Sequence, residues 1–552
     1  MKTYYRLIIL CTVLLLAVVA STGQVLQTKN LPPERGYETV IIKGSFFPIF
    51  NNTQINQLYL YAYSQNESAW KPIPFQIDEL DPTIADVPDQ LFDDNDELLF
   101  LAQDLGDKVS PGNWIDDADS KSYKRYEIEV VDSRDKTKRG WCYLYRSATL
   151  TEQNKSPIRY LNYDADVDSV IGKYYVMGNR RNWFPQTILI TSDGKGDGKD
   201  FYDRTKLRIR AIPFPGADLF FDETKVLIKS AAYIKAGPIR IQRRDSLKFD
   251  IPNFEYSATF TRKYFPYFSN FSGKVELQAQ WLFKALRMSY DLDPRISGAK
   301  FYSVDSSGIK NQDIVVDGTS DASKMNLLLK GNSPNWTMVT GNFGTLLTIN
   351  SVIFERDPSV ADPYSQSLYY WDDKSNNPLP MSRDYDTGDS LSYGDHGMFF
   401  ESYNLAGVIT YNSATYFLPA NQATVVAENM FYNFNSPVIL YTEAQQYAAK
   451  VLDRDEDFLP IHFKLLPNYP NPFNVETTIA FELDRADWVK VEIYDVHGRK
   501  LITLTNESYQ PGVHRLTWNG RDEMDQPVSS GIFICKAKSS RNTASQKIAL
   551  IK

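Results

Sequence analysis

Alternation is the feature that most constrains this chain. Ile479, Phe481 and Leu483 are interleaved with Thr478, Ala480 and Glu482, and Val489, Val491 and Ile493 with Lys490 and Glu492. Far upstream, Lys206 to Pro213 alternates charged with aliphatic residues. A period of two sends successive side chains to opposite faces of a strand, so each run has one face for a core and one for solvent. Tyr37 to Phe47, Gln57 to Tyr63, Tyr123 to Val131 and Gly140 to Arg146 are rich in Tyr, Val, Ile and Phe, and Gly, Pro, Asn and Asp clusters break them at short intervals. Lys225 to Ile251 holds three such runs with a break at Ala236 to Pro238, and Lys274 to Leu292 reads as a strand pair or one bent strand. No helix-period segment of the body exceeds about three turns. The fold class is therefore all-β: a β-sandwich body of one or two domains, followed by a small sandwich of short strands.

Five segments follow. Residues 1–23 carry Lys2 and Arg6, an apolar run from Leu7 to Ala20 and then small residues, the pattern of a cleaved signal peptide. Residues 24–150 form an N-terminal β domain, bounded where the strand pattern lapses between Thr149 and Pro157, and 151–441 form the main β sandwich. Residues 442–462 are expected to be a helix and an acidic linker. Thr442 to Gln445 reads as a capping box, Ala444 to Leu452 holds strong helix formers, and Asp453 to Asp457 is a charged run with nothing to pack. Residues 463–552 are the C-terminal domain. Beyond the leader no stretch approaches roughly eighteen uninterrupted apolar residues, so no transmembrane segment is expected in the mature chain.

Composition closes several routes. A net charge of −8 argues against a nucleic-acid surface, which needs clustered Lys and Arg. Of three cysteines, Cys11 lies in the leader, and Cys142 and Cys535 fall in different domains, so no disulfide framework is expected. Three of the four histidines (His462, His497 and His514) lie in or beside the C-terminal domain, leaving His396 alone in the body. That excludes a histidine-rich metal centre there. The 35 tyrosines fit strand propensity, and also fit faces that stack on sugar rings.

Carboxylates are the remaining chemistry. Tyr370 to Asp373 and Arg383 to Asp389, continuing to Asp395 and His396, interleave acids with aromatics. Paired carboxylates about 5–10 Å apart hydrolyse glycosides, so Asp372, Asp373, Asp386, Asp389 and His396 are the catalytic candidates. Ordinary acidic loops between strands explain the same residues. In Ser192 to Asp200, Asp193, Asp197 and Asp200 are candidate calcium ligands, with Gly194, Gly196 and Gly198 allowing a tight loop; a glycine-rich hairpin loop is the alternative. Asp93, Asn95 and Glu97 alternate like calcium ligands too, but Leu98 stands where a calcium loop needs glycine.

The C-terminal segment adds a resemblance. Its marks are Tyr469 to Asn474 (with Pro470, Asn471 and Pro472), Tyr494, Asp495, Gly498 and Arg499, then Trp518, Gly520 and Asp522, Ser530 to Phe533 (with Gly531), and the terminal Lys547 to Lys552. It resembles the C-terminal sorting domain of type IX secretion cargo and the related immunoglobulin-like domain of flagellar hook-capping proteins. The resemblance implies an immunoglobulin-like sandwich that acts as a sorting signal. It also implies the type IX machinery and its sortase as partners, and a secreted or outer-surface location reached through the periplasm of a Gram-negative bacterium. The body resembles uncharacterised secreted β-rich proteins in Pro72 to Asp78 and Asp96 to Ala102, and more distantly the large sandwiches of carbohydrate-active enzymes. The expectation is a secreted protein that binds extracellular polysaccharide. A glycoside hydrolase or polysaccharide lyase, and a structural or adhesive surface protein, are the alternatives.

Overall fold

The computed structural model describes residues 27–550 except 81–88, 180–184, 213–215, 217–218, 223–225, 229–232, 252–253, 278–282, 305–313, 320–334, 361–363, 374–391, 403, 448–462, 470, 472, 475, 484–486, 496–497, 511 and 540–542. The expected leader, the acidic run Asp453 to Asp457, Asp386, Asp389, Pro470, Pro472 and Lys552 lie outside the described residues. Two compact units emerge, Met1–Lys450 and Val451–Lys552. All-β is the observed class, and the described residues contain one α-helix, Thr424–Asn435.

Two large antiparallel sheets make the centre of the first unit. One runs in the order Leu219–Asp222, Tyr202–Ala211, Phe283–Leu292, Ser392–Ser402, Tyr364–Asp373. The other is ten-stranded and includes Phe254–Tyr264, Phe268–Leu277, Gly407–Leu418, Gly344–Arg356 and Trp336–Gly341. Alternation sends Leu207, Ile209, Met398 and Phe400 of the first sheet into one core with Phe260, Phe271, Ile409 and Tyr411 of the second. Lys274 to Leu292 is thus neither a pair nor one bent strand, because its two halves belong to different sheets. The helix lays Ala427 and Met430 on Trp336, Met338 and Tyr416.

The junction departs from expectation. Ile439–Gln445 is a strand, not the start of a helix, and pairs along its length with Arg125–Val131. Gln445, read as a helix cap, instead takes hydrogen bonds from the buried Arg125 guanidinium at 2.8 and 3.0 Å, and its own amide donates to Glu127. Arg125 stacks on Trp114 and Tyr143, each 4.4 Å from the ring centre. A full ladder and a satisfied buried cation outweigh helix propensity of a few tenths of a kcal/mol per residue.

In the second unit, Phe463–Tyr469, Thr477–Leu483 and Gly512–Trp518 form one sheet, and Lys500–Tyr509, Asp487–Asp495, Gly531–Lys538 and Thr543–Leu550 the other. Ile479, Phe481, Leu483, Val489, Val491 and Ile493, the residues of the two alternating runs, are all buried in their shared core.

Candidate functional site

Between the two large sheets lies a narrow cleft of about 320 Å³, counting its open mouth. Most of that figure is open solvent; the enclosed part is about 20 Å³, room for roughly one water molecule, so a sugar ring would enter only if the cleft widens. Met288, Leu368 and Met398 make apolar walls, and Tyr290, His396, Tyr411, Asn350, Thr337 and Thr348 bring polar groups. Strand pairing assembles the set. Tyr290 faces His396 and His396 faces Tyr370 across adjacent strands, so all three project to the inner side of the sheet.

The groups lining the cleft are uncharged, although the buried Arg262 guanidinium outside the lining acts on Tyr290 and Tyr411. His396 is buried, its Nδ1 is 2.8 Å from the Gly394 carbonyl, and its ring lies edge-on to Phe301. Burial lowers its pKa from the ordinary 6.5, against the weaker pull of Gly394 and Asp395. A neutral ring next to a carbonyl carries its hydrogen on Nδ1, which leaves Nε2 as an acceptor. Burial also raises the pKa of Tyr290 and Tyr411, so both hydroxyls keep their protons. Tyr411 donates to Asn350 Oδ1 at 3.4 Å. Among the described residues no carboxylate lines the cleft.

Asp372 and His396, the catalytic candidates whose side chains are described, do not converge there. Both carboxylate oxygens of Asp372 accept backbone N–H groups, from Gly318 at 2.8 Å, Asp317 at 3.0 Å and Gly394 at 3.1 Å, which makes it a clamp between loops. Asp373 ends the same strand, where the pairing register shifts. Of the two candidates whose side chains are described, His396 lines the cleft and Asp372 does not. Tyr290 and Tyr411, which the sequence did not single out, bring two hydroxyls to it. Their signal was weak, since each is one tyrosine among many on ordinary strands.

In the glycine-rich loop, Asp200 accepts from the Ile188 and Tyr202 amides and Asp197 from the Lys199 amide, while Asp193 is exposed. A Cβ on Gly194 would come within 2.3 Å of the Tyr174 carbonyl oxygen, so close packing explains that glycine. Among the described residues no group of three or more His, Cys, Asp or Glu is placed to hold a metal ion. Glu97 is bound to Arg240 at 2.7 Å.

In the second unit the motif residues hold the fold. Asn471 grips the last strand from both directions, donating to the Lys547 carbonyl at 3.0 Å and accepting from the Ala549 amide at 2.8 Å. Asp495 accepts from the Arg499 amide at 2.9 Å, and Gly498 between them has φ +78°, which any side chain would strain. Trp518 is fully buried and its ring N–H donates to the Arg521 carbonyl. Gly531 opens the strand that carries Phe533 and Cys535 into the core.

Residues 471–543 match the FlgD Ig-like domain family. No curated protein matches the chain. Among solved structures the chain is similar to an alpha-mannosidase from Enterococcus faecalis at 10 % identity and TM-score 0.38, over 90 % of this chain and 57 % of that one. A protein in the glycosyl hydrolase family 38 from the same organism gives 10 % identity and TM-score 0.37, over 89 % and 56 %. A beta-arabinopyranosidase gives 9 % identity and TM-score 0.22, over 46 % and 40 %. The chain thus spans little more than half the length of the first two, and at these scores the likeness carries no argument about activity. Among the described residues no helix is long and apolar enough to cross a membrane.

Proposed function

We propose that this is a secreted or surface-displayed sugar-binding protein of a Gram-negative bacterium, whose C-terminal Ig-like domain serves as its type IX sorting signal. One observation carries the binding reading. Every polar group lining the inter-sheet cleft is neutral near pH 7, and apolar side chains form the rest of the wall. Hydroxyls, an amide and an imidazole acceptor match the donors and acceptors of a neutral sugar, while the methionine and leucine walls suit its C–H faces. A charged sugar would be desolvated with no counter-charge on the lining. Hydrolysis by a carboxylate pair gains no support from this cleft. The body is therefore assigned a binding role, in which the cleft widens to take the terminal residue of a neutral glycan.

The sorting role rests on the ordered motif from Tyr469 to Lys552 and on the match to an Ig-like family. Deleting Leu465 to Lys552 is expected to strand the body in the periplasm; normal export of the truncated chain would refute the sorting role. For binding, a glycan array probed with the purified chain should give neutral-glycan hits without cleavage products. Cleavage would replace the binding reading with an enzymatic one. Adding a chelator tests calcium in the same assay, and lost binding would bring Asp193, Asp197 and Asp200 back as ligands.

A further inference from the structure

The outer face of the five-stranded sheet carries a different chemistry. Lys206, on Tyr202–Ala211, is completely buried, and its ammonium lies 3.0 Å from Asp291 Oδ2 and 3.6 Å from Asp395 Oδ2. The three residues sit on three consecutive strands. Lys206 pairs with Ser289, and Ser289 with Gly397, so the residues beside Lys206 in its cross-strand row are small. The long lysine chain can therefore lie along that row. Asp291 is fixed from the other side, its Oδ1 accepting the Tyr393 amide at 2.7 Å. Asp395 is fully buried and neither of its oxygens accepts a hydrogen bond. Tyr369 and Trp371 pack together on the edge strand of the same sheet, with Trp371 directly opposite Asp395.

We infer that Lys206 and Asp291 condense into an intramolecular amide, with Asp395 relaying the proton. In a site closed to water, proton transfer within the pair gives a neutral amine and a neutral acid at far lower cost than in solvent. The Lys206 nitrogen attacks the Asp291 side-chain carbonyl carbon, forming the C–N bond. The Asp395 carboxylate takes the proton released by nitrogen and passes it to the departing hydroxyl. The C–O bond breaks and one water leaves. Nothing is oxidised or reduced, and no co-reactant is needed. The product exchanges a buried ion pair for a neutral amide and ties two neighbouring strands covalently. The two mature cysteines, both free and buried, supply no such tie.

Mass spectrometry of the purified full chain, denatured, tests this without any ligand. The wild type should be lighter than its sequence by one water, and proteolysis should yield a branched peptide joining the segments around Lys206 and Asp291. Lys206→Arg and Asp395→Asn should each restore the full mass, the first by removing the nucleophile and the second by removing the relay. A wild type at full mass, with trypsin cutting freely after Lys206, would overturn the inference. Water loss that persists in Lys206→Arg, or a branch to a carboxylate other than Asp291, would overturn the assignment equally.

Discussion

Asp395 and His396 are neighbours in sequence and point to opposite faces of one sheet, and the two faces handle buried polarity in opposite ways. Outside, a lysine and two aspartates are closed off together, an ion cluster until Lys206 and Asp291 condense. Inside, the groups are as polar but uncharged, and they open into a cleft. The difference follows from desolvation. Buried ions must be matched by fixed counter-charges, which leaves little capacity for a mobile ligand. Neutral donors and acceptors lose less on burial and can exchange water for ligand hydroxyls at small net cost. The outer face is thus built to hold the sheet together, and the inner face can bind.

The largest expected effect breaks the outer face. Lys206→Met removes the lysine that Asp291 and Asp395 are built around, and with it the cross-link, and should cost about 3–5 kcal/mol of stability, read from the denaturant midpoint. A cost below about 1 kcal/mol would mean that the cluster does not hold the sheet together. On the inner face, Tyr290→Phe removes one hydroxyl and should weaken sugar binding about tenfold while lowering stability by only about 1 kcal/mol. Equal loss of binding in Lys206→Met and Tyr290→Phe, at matched folded fraction, would erase the distinction between the faces.

Acid sharpens it further. The pKa of His396 is held below 6.5 in the folded state, so the unfolded chain takes up a proton that the native one refuses. Its contribution is fully present above that value and lost as pH falls below it. Burial raises Glu38 to about 7 and Asp96 and Asp104 to about 6, and these act with the opposite sign in the same range. Only a difference isolates the histidine: His396→Gln should lose about 1 kcal/mol less than wild type on acidification from about pH 7.5 to about pH 5. Parallel stability curves would show that His396 takes up its proton as readily in the fold as in the unfolded chain. The smallest effect is a control in the other unit. Gly498→Ala meets no atom within 4 Å but keeps φ at +78°, and should cost about 0.5–1 kcal/mol in that unit's own transition, leaving sugar binding unchanged.

Legibility followed the range of the interactions. The C-terminal sandwich was readable because its determinants are local: Asp495 and Gly498 close one turn, and Trp518 bonds three residues away. The alternating runs there are buried as their period demands. In the body the strands were legible and their partners were not. Gln445 looked like a helix cap because its partner, Arg125, is 320 residues distant. Asp372 looked catalytic because sequence does not show three backbone N–H groups converging on it. Lys206 read as one charge in an alternating strand; its burial depends on two other strands brought beside it. His396 was singled out by scarcity, and scarcity did lead to the cleft.

The most direct test of the neutral-cleft account is a glycan array on the purified chain, repeated at low and high salt. Binding to neutral glycans that does not change with salt, and that weakens in Tyr290→Phe, is the predicted result. Preference for acidic glycans that fades as salt rises, with Tyr290→Phe unaffected, would contradict it.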